Sequence, residues 1–209
     1  SYNTAGDGDD FDFDGACDAG DSTPFGEIAL SFTDVTVNSA TLSYTASNDV
    51  YGLQFLVEGV DLASATSSND DIELSCGSLG CIAFSMTGAT FAAGEGTLAT
   101  FTFAEIAGGS VISLADVIVS GREGSQMAAS GPDAADVPAC DDNDADMLCD
   151  VVDPDDDNDA VADDDDSHPF DNTQCSDDDG DTCDDCSNGS YDTSADGWDY
   201  DADGACDAG

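Results

Sequence analysis

Twenty aspartates of this chain fall into a single register. Written D-x-D-x-D-x-x-x-D, it fits five times. The matches are Asp10, Asp12, Asp14 and Asp18; Asp142, Asp144, Asp146 and Asp150; Asp155, Asp157, Asp159 and Asp163; Asp177, Asp179, Asp181 and Asp185; and Asp199, Asp201, Asp203 and Asp207. Alternate residues of a tight loop can turn their carboxylates toward one centre. Ca²⁺ accepts six to eight oxygens at about 2.3–2.6 Å. The spacing therefore predicts calcium loops and several bound ions. A glycine in the sixth place permits the sharp turn such a loop needs. Gly15 and Gly204 supply it in the first and last loops, whereas Met147, Ala160 and Thr182 stand there in the other three. An EF-hand would add a bidentate Glu in the twelfth place and flanking amphipathic helices. The sequence offers neither.

The charge distribution agrees with a cation ligand. The chain has 209 residues and 48 acids against one Arg (Arg122), no Lys and one His (His168). Residues 131–209 carry 29 Asp, no Glu and no Lys or Arg. A short carboxylate suits tight turns and cation ligation, so exclusive use of Asp points to loop geometry. So acidic a chain repels nucleic acid and anionic membrane surfaces, and no apolar run approaches the roughly 20 residues of a membrane span. Almost no apolar residues accompany the charges in this tail. Folding and metal binding are expected to be one event there. Nine cysteines in a Lys-free, Asp-rich chain indicate an extracellular or cell-surface location in an oxidising medium.

The elements that carry these loops divide by composition. Residues 1–20 form a first calcium loop, 21–130 a β-domain, 131–139 ("GPDAADVPA") a short linker, and 140–209 the Asp-rich repeats. In the β-domain, period-2 alternation recurs between Gly, Asn, Asp and Ser turns. It puts Ile28, Leu30 and Phe32 on one face, then Leu42, Tyr44 and Ala46, then Leu53, Phe55 and Val57. "CIAFSMT" gives Ile82, Phe84 and Met86, and "ATFTFAE" gives Ala99, Phe101 and Phe103. No helical stripe is evident. About eight short strands over roughly 105 residues predict an all-β fold, a β-sandwich, followed by an irregular segment with little secondary structure.

Two resemblances follow from these residues. "GEGTLATFTFAEIAGGSVISLADVIVSGREG" and "VYGLQFLVEGVDLASAT" resemble strands of cohesin domains over roughly residues 25–127. The resemblance implies a jelly-roll sandwich without catalytic residues, holding a protein partner such as a dockerin on one sheet face. Glycan binding, known in related sandwiches, needs an exposed aromatic platform, and this segment has no Trp. "CSDDDGDTCDDC" and "DPDDDNDAVADD" resemble thrombospondin type-3 repeats, which wrap Ca²⁺ in Asp loops with interspersed disulfides. That resemblance covers residues 140–207 and the head.

Cysteine placement follows the loops. Cys17, Cys149, Cys183 and Cys206 stand near the last Asp of a loop, and Cys140 and Cys175 stand two residues ahead of one. Bracketing pairs Cys140–Cys149 and Cys175–Cys183 are expected, with Cys76–Cys81 closing a turn of the sandwich. The type-3 resemblance implies Cys186–Cys206. The C-x-x-C of Cys183 and Cys186 has no second C-x-x-C or nearby His to make a zinc site.

The chain also repeats a phrase. "SYNTAGDGDDFDFDGACDAG" at 1–20 returns at 190–209 as "SYDTSADGWDYDADGACDAG", with 14 of 20 positions identical at an offset of 189. Cys17 is the counterpart of Cys206. With Cys186 bonded to Cys206, its own partner falls at 186 − 189 = −3, before Ser1. The expectation is a unit of a longer series, tandem or assembled head to tail from copies of itself. Catalysis is not expected. His168 lies in "DSHPFDN" as a turn residue before Pro169, and no nucleophile motif accompanies it.

Overall fold

A computed structural model describes residues 10–12, 15–17, 20–200 and 205–207. They form two compact units. The first contains residues up to Glu105 together with Gly109–Pro138, and the second contains Ile106–Gly108 together with the chain from Ala139 onward.

The first unit is a two-sheet β-sandwich. Its strands are β1 (Glu27–Thr33), β2 (Ser39–Ala46), β3 (Gly52–Glu58), β4 (Leu62–Ser67), β5 (Glu73–Gly77), β6 (Gly80–Phe84), β7 (Gly94–Phe103), β8 (Ser110–Ser120), β9 (Ala128–Ser130) and β10 (Ala135–Val137). One sheet has the order β4-β7-β2-β1-β9 and the other β10-β8-β3-β6-β5. Only the β1–β9 pair is parallel among the named strand pairs.

Alternation does what the sequence predicts in most strands. Ile28, Leu30, Leu42, Tyr44, Ala46, Leu53, Phe55, Phe101 and Phe103 are buried between the sheets. Phe55 and Phe101, from opposite sheets, meet edge-on at 5.8 Å, the geometry that ring quadrupoles favour. Burying each such side chain contributes about 1.5–3 kcal/mol. Leu98 is the extra residue of a bulge opposite the Leu42/Ser43 step of β2, so both Leu98 and Ala99 face inward.

Two expectations need correction. The phase of β6 is reversed: Cys81 and Ala83 are buried, while Ile82 is 48% and Met86 86% exposed. Pairing explains this. β3 fixes the inward face with Leu53 and Phe55, and their partners in register are Ala83 and Cys81. The Cys76–Cys81 bridge sits on that register too. Gly80 brings β6 close to β3, since an added Cβ would lie 2.7 Å from the Phe55 carbonyl oxygen. The stretch 131–139 is also more than a linker. Ala135–Val137 pairs antiparallel with Ser110–Ile112 and buries Val137. β9 and β10 are three residues each, too short for alternation to reveal them.

The second unit has no helix or strand among its described residues. Turns and three disulfides hold it, and its buried residues are cysteines and aspartates.

Candidate metal centres

The four Asp loops from Asp142 onward are each closed by the same two hydrogen bonds. Numbering from the first Asp of a loop, the N–H of position 2 donates to the carboxylate of position 9. The pairs are Asn143 to Asp150 (2.8 Å), Asp156 to Asp163 (2.9 Å), Asp178 to Asp185 (2.7 Å) and Tyr200 to Asp207 (2.8 Å). In return the N–H of position 9 donates to the carbonyl just before the loop. Asp150 donates to Asp141, Asp163 to Pro154, Asp185 to Ser176 and Asp207 to Trp198, at 2.7–3.1 Å. The fourth aspartate of the register is therefore the latch of the loop.

Within the latch, three loops have one backbone. Position 4 is left-handed at Ala145 (φ 63°), Asn158 (φ 59°) and Gly180 (φ 77°). Position 6 is left-handed at Met147 (φ 83°), Ala160 (φ 78°) and Thr182 (φ 81°). The sixth-place turn thus forms without glycine, at a steric cost of about 1–2 kcal/mol for each side chain. Thr182→Gly is expected to stabilise the folded, oxidised chain by about 1 kcal/mol, read as a raised midpoint in urea.

The inner carboxylates each spend one oxygen on the loop. Position 5 donates its N–H to position 3: Asp146 to Asp144 (2.9 Å), Asp159 to Asp157 (3.2 Å) and Asp181 to Asp179 (3.2 Å). Position 7 donates to position 5: Leu148 to Asp146, Val161 to Asp159 and Cys183 to Asp181, at 2.7–2.8 Å. The carboxylates also converge. In the triads Asp142-Asp144-Asp146, Asp155-Asp157-Asp159 and Asp177-Asp179-Asp181, one carboxylate oxygen of each residue lies within 4.8 Å of the others. Ligands around one Ca²⁺ stand at such separations.

With the head loop set apart and the tail loops counted from Asp142, the second loop (Asp155–Asp163) is the most enclosed. Asp159 is fully buried and Asp157 is 5% exposed. Asp155 Oδ1, Asp157 Oδ2, Asp159 Oδ2 and Asp166 Oδ2 are buried with no hydrogen-bond partner. Burial, then the Asp159 charge, pushes the Asp157 carboxyl up to about 6, against the opposing Asp159 N–H. Burial likewise raises Asp159, opposed by the Val161 N–H and assisted by Asp166 and Asp155. Oxygen-only donors crowded to this degree fit a hard divalent cation. Cys175 and Cys186 approach Asp159, but both are spent in a disulfide.

Asp166 belongs to a position absent from the five-fold register. Position 12 carries Asp21, Asp153 and Asp166, with Asn188 in the third loop. In all three acids Oδ1 accepts the N–H two residues on, from Thr23 (2.9 Å), Asp155 (3.1 Å) and His168 (2.7 Å). An offset of eleven from each loop start marks them in the sequence. Asp156 and Asp196 are two further buried acids outside the register. Burial, then Asp163, Asp150, Asp153 and Asp144, raises the Asp156 carboxyl.

Of the head loop, Asp10 and Asp12 are described, and Asp10 Oδ1 is buried without a partner. Gly20 and Asp21 donate to the Cys17 carbonyl as Val152 and Asp153 donate to that of Cys149. Asp14, Asp18, Asp201 and Asp203 lie outside the described residues. Asp199 and Asp207 flank the fourth loop, where the latch is intact. His168 occupies a turn, its carbonyl accepting the Asp171 N–H at 2.9 Å.

The disulfides are Cys76–Cys81, Cys140–Cys149, Cys175–Cys186 and Cys183–Cys206. The first two are as expected. Cys175–Cys183 and Cys186–Cys206 are not formed, and the partners are exchanged. Cys149 stands at position 8 of its loop but Cys183 at position 7, one residue out of phase. The Cys206 N–H donates to the Asp181 carbonyl at 2.6 Å, which brings the end of the fourth loop beside Cys183. Cys183 and Cys186 therefore serve different bridges. Four disulfides fit an oxidising compartment. No helix among the described residues is long and apolar enough to cross a membrane.

Fold and loops together define an all-β sandwich joined to an irregular, disulfide-braced acidic segment. Solved cohesin modules are similar to the sandwich. One from a family 33 glycoside hydrolase of Clostridium perfringens is 16% identical, covers 55% of this chain and 98% of its own, and has a TM-score of 0.42. A type I cohesin–dockerin complex from Clostridium thermocellum supplies a match of 8% identity, covering 53% of this chain and 92% of that one, with a TM-score of 0.43. A non-cellulosomal cohesin from the archaeon Archaeoglobus fulgidus is 8% identical over 54% and 92% of the two chains, with a TM-score of 0.38. No family model and no curated protein matches the chain.

Proposed function

We propose that this chain is a calcium-stabilised extracellular structural module, in which Asp loops of the thrombospondin type-3 kind form a stiff connector beside a β-sandwich. The observation that carries the reading is the set of four partnerless, buried carboxylate oxygens in the second loop, Asp155 Oδ1, Asp157 Oδ2, Asp159 Oδ2 and Asp166 Oδ2. An unpaired buried carboxylate is costly, and no Lys or Arg exists in residues 131–209 to offset it. A cation bound there turns that cost into attraction. The ion would be held by positions 1, 3, 5 and 12, with position 9 latching the backbone around it. The phrase shared by 1–20 and 190–209 extends the reading to a series of such units, as in a filament, stalk or surface layer.

Calorimetric titration of the chelator-stripped, oxidised chain with CaCl₂ tests this. At least three equivalents are expected, one for each loop with a complete described triad. A flat titration would sink the reading.

A second reading, in which the sandwich binds a protein partner such as a dockerin, has one observation in its favour. Ile82 and Ile118 flank Gln54 across the outer face of β6-β3-β8, and they are 48% and 44% exposed. Exposed aliphatic residues in a cross-strand row suit a protein contact. The two readings concern different units of the chain and are compatible.

A further inference from the structure

The third loop departs from its neighbours at one place. Position 12 is Asn188, where the head, first and second loops have Asp21, Asp153 and Asp166. The Asn188 amide donates to the Ala195 carbonyl, and the Ser187 hydroxyl donates to the Asp196 carbonyl. Positions 11 and 12 of this loop are thus occupied in holding the backbone of 195–196. That grip brings in another carboxylate. Asp196 is 8% exposed, and its Oδ2 is buried with no hydrogen-bond partner. The next residue is Gly197, where an added Cβ would overlap the sulfurs of Cys183 and Cys206. Glycine there lets the segment lie directly on the bridge anchored at position 7 of the loop. The Asp-Gly pair also recurs in the repeated phrase, at 7–8 and 196–197, although both residues flanking it change.

Asp196 is tied to the third loop through its neighbour: Gly197 lies against Cys183, whose N–H donates to Asp181 Oδ1 at 2.8 Å. Asp185, the latch of this loop, is 1% exposed and keeps Oδ1 without a partner. Asp185 thus holds a buried, partnerless oxygen within the loop of the Asp177-Asp179-Asp181 triad, and Asp196 holds one on the segment that positions 11 and 12 of that loop grip.

We infer that Asp196 is a calcium ligand of the third loop, supplying from outside the loop the carboxylate that position 12 supplies elsewhere. The inference rests on the calcium reading given above. Asn188 has exchanged the role of ligand for that of clamp, and the charge of the site is kept.

The test is calorimetric titration with CaCl₂ of three full-length, oxidised chains: the wild type, Asp196→Asn, and the double variant Asn188→Asp with Asp196→Asn. Loss of a charged ligand weakens its ion by at least about 100-fold, more than loss of an outer-shell partner. Asp196→Asn is expected to lose one equivalent from the tight phase and keep the others, and the double variant is expected to regain it. A titration of Asp196→Asn that superimposes on the wild type overturns the inference. Weakening of every equivalent alike overturns it also, since that marks a general structural role. Failure of the calcium reading is a separate result: the wild type itself would then bind no calcium.

Discussion

Excess EDTA at pH 7 is expected to melt residues 139–209 and leave the sandwich folded. The two units differ in what holds them. The sandwich has a continuous apolar core that includes Leu42, Phe55, Phe101 and Ile112, none more than 1% exposed. Among its described residues the second unit buries no aliphatic or aromatic side chain; those buried are Cys149, Cys175, Cys183, Cys186 and Cys206 with five aspartates. Charges of one sign confined without counter-ions repel. Each site held at a thousand times its dissociation constant adds about 4 kcal/mol, and that support vanishes with the ion. The disulfides survive chelation, so the product is a cross-linked coil. Hydrogen exchange checks the outcome residue by residue. With EDTA, the latching amides of Asp150, Asp163 and Asp185 lose protection while those of β2 and β7 keep it. Equal protection of the latches with and without EDTA would refute calcium as the organising element.

Asp157→Asn is expected to act in opposite directions with and without calcium. Without the ion, the Asp157 carboxyl titrates at about 6 in the fold, because burial and Asp159 disfavour its charge, against an ordinary value of 3.8. A carboxyl raised by folding stabilises the fold when it is protonated. That contribution is complete below about 3.8 and is lost as pH rises through about 6. The chelated segment therefore regains protection on acidification toward pH 5. Asparagine is neutral at every pH, so the variant regains protection at a higher pH than the wild type. In calcium the sign reverses. On the proposed reading the carboxylate would be a ligand, and its loss would weaken the second loop by at least about 100-fold. Hydrogen exchange at the Asp163 amide, followed against pH in EDTA and against CaCl₂ at pH 7, reads both arms. Movement in the same direction in both would refute Asp157 as a ligand.

The register itself was visible in the sequence because a tight loop forces ligands onto alternate residues, and one residue type does the work. What lay between loops was not visible. Asp196 lies outside the loop register, and its link to the third loop comes from the hydrogen bonds of Ser187 and Asn188 rather than from spacing within that loop. The exchange of bridges at Cys183 depends on a one-residue phase within the loop, detectable only by counting from its first Asp. The sixth-place residues Met147, Ala160 and Thr182 look like faults in a glycine motif, yet all three adopt the left-handed turn. The hydrogen bonds that close the loop outweigh side-chain preference there. In the sandwich, alternation locates the strands, but β6 takes its phase from the register of β3 rather than from its larger side chains.

The interlaced bridges Cys175–Cys186 and Cys183–Cys206 determine how this segment would carry tension. A pull entering at Cys175 crosses to Cys186, runs backward along the chain to Cys183, and crosses again to Cys206. Of the 206 − 175 = 31 residue steps between the ends, only 186 − 183 = 3 bear load. The third loop, apart from its last few residues, is a slack bight off the load path, and so is the stretch that carries Asp196. Were the segment a connector under load, force on it would spare any ion held there. The other 28 steps, about 100 Å of contour at roughly 3.6 Å each, would be paid out only on reduction.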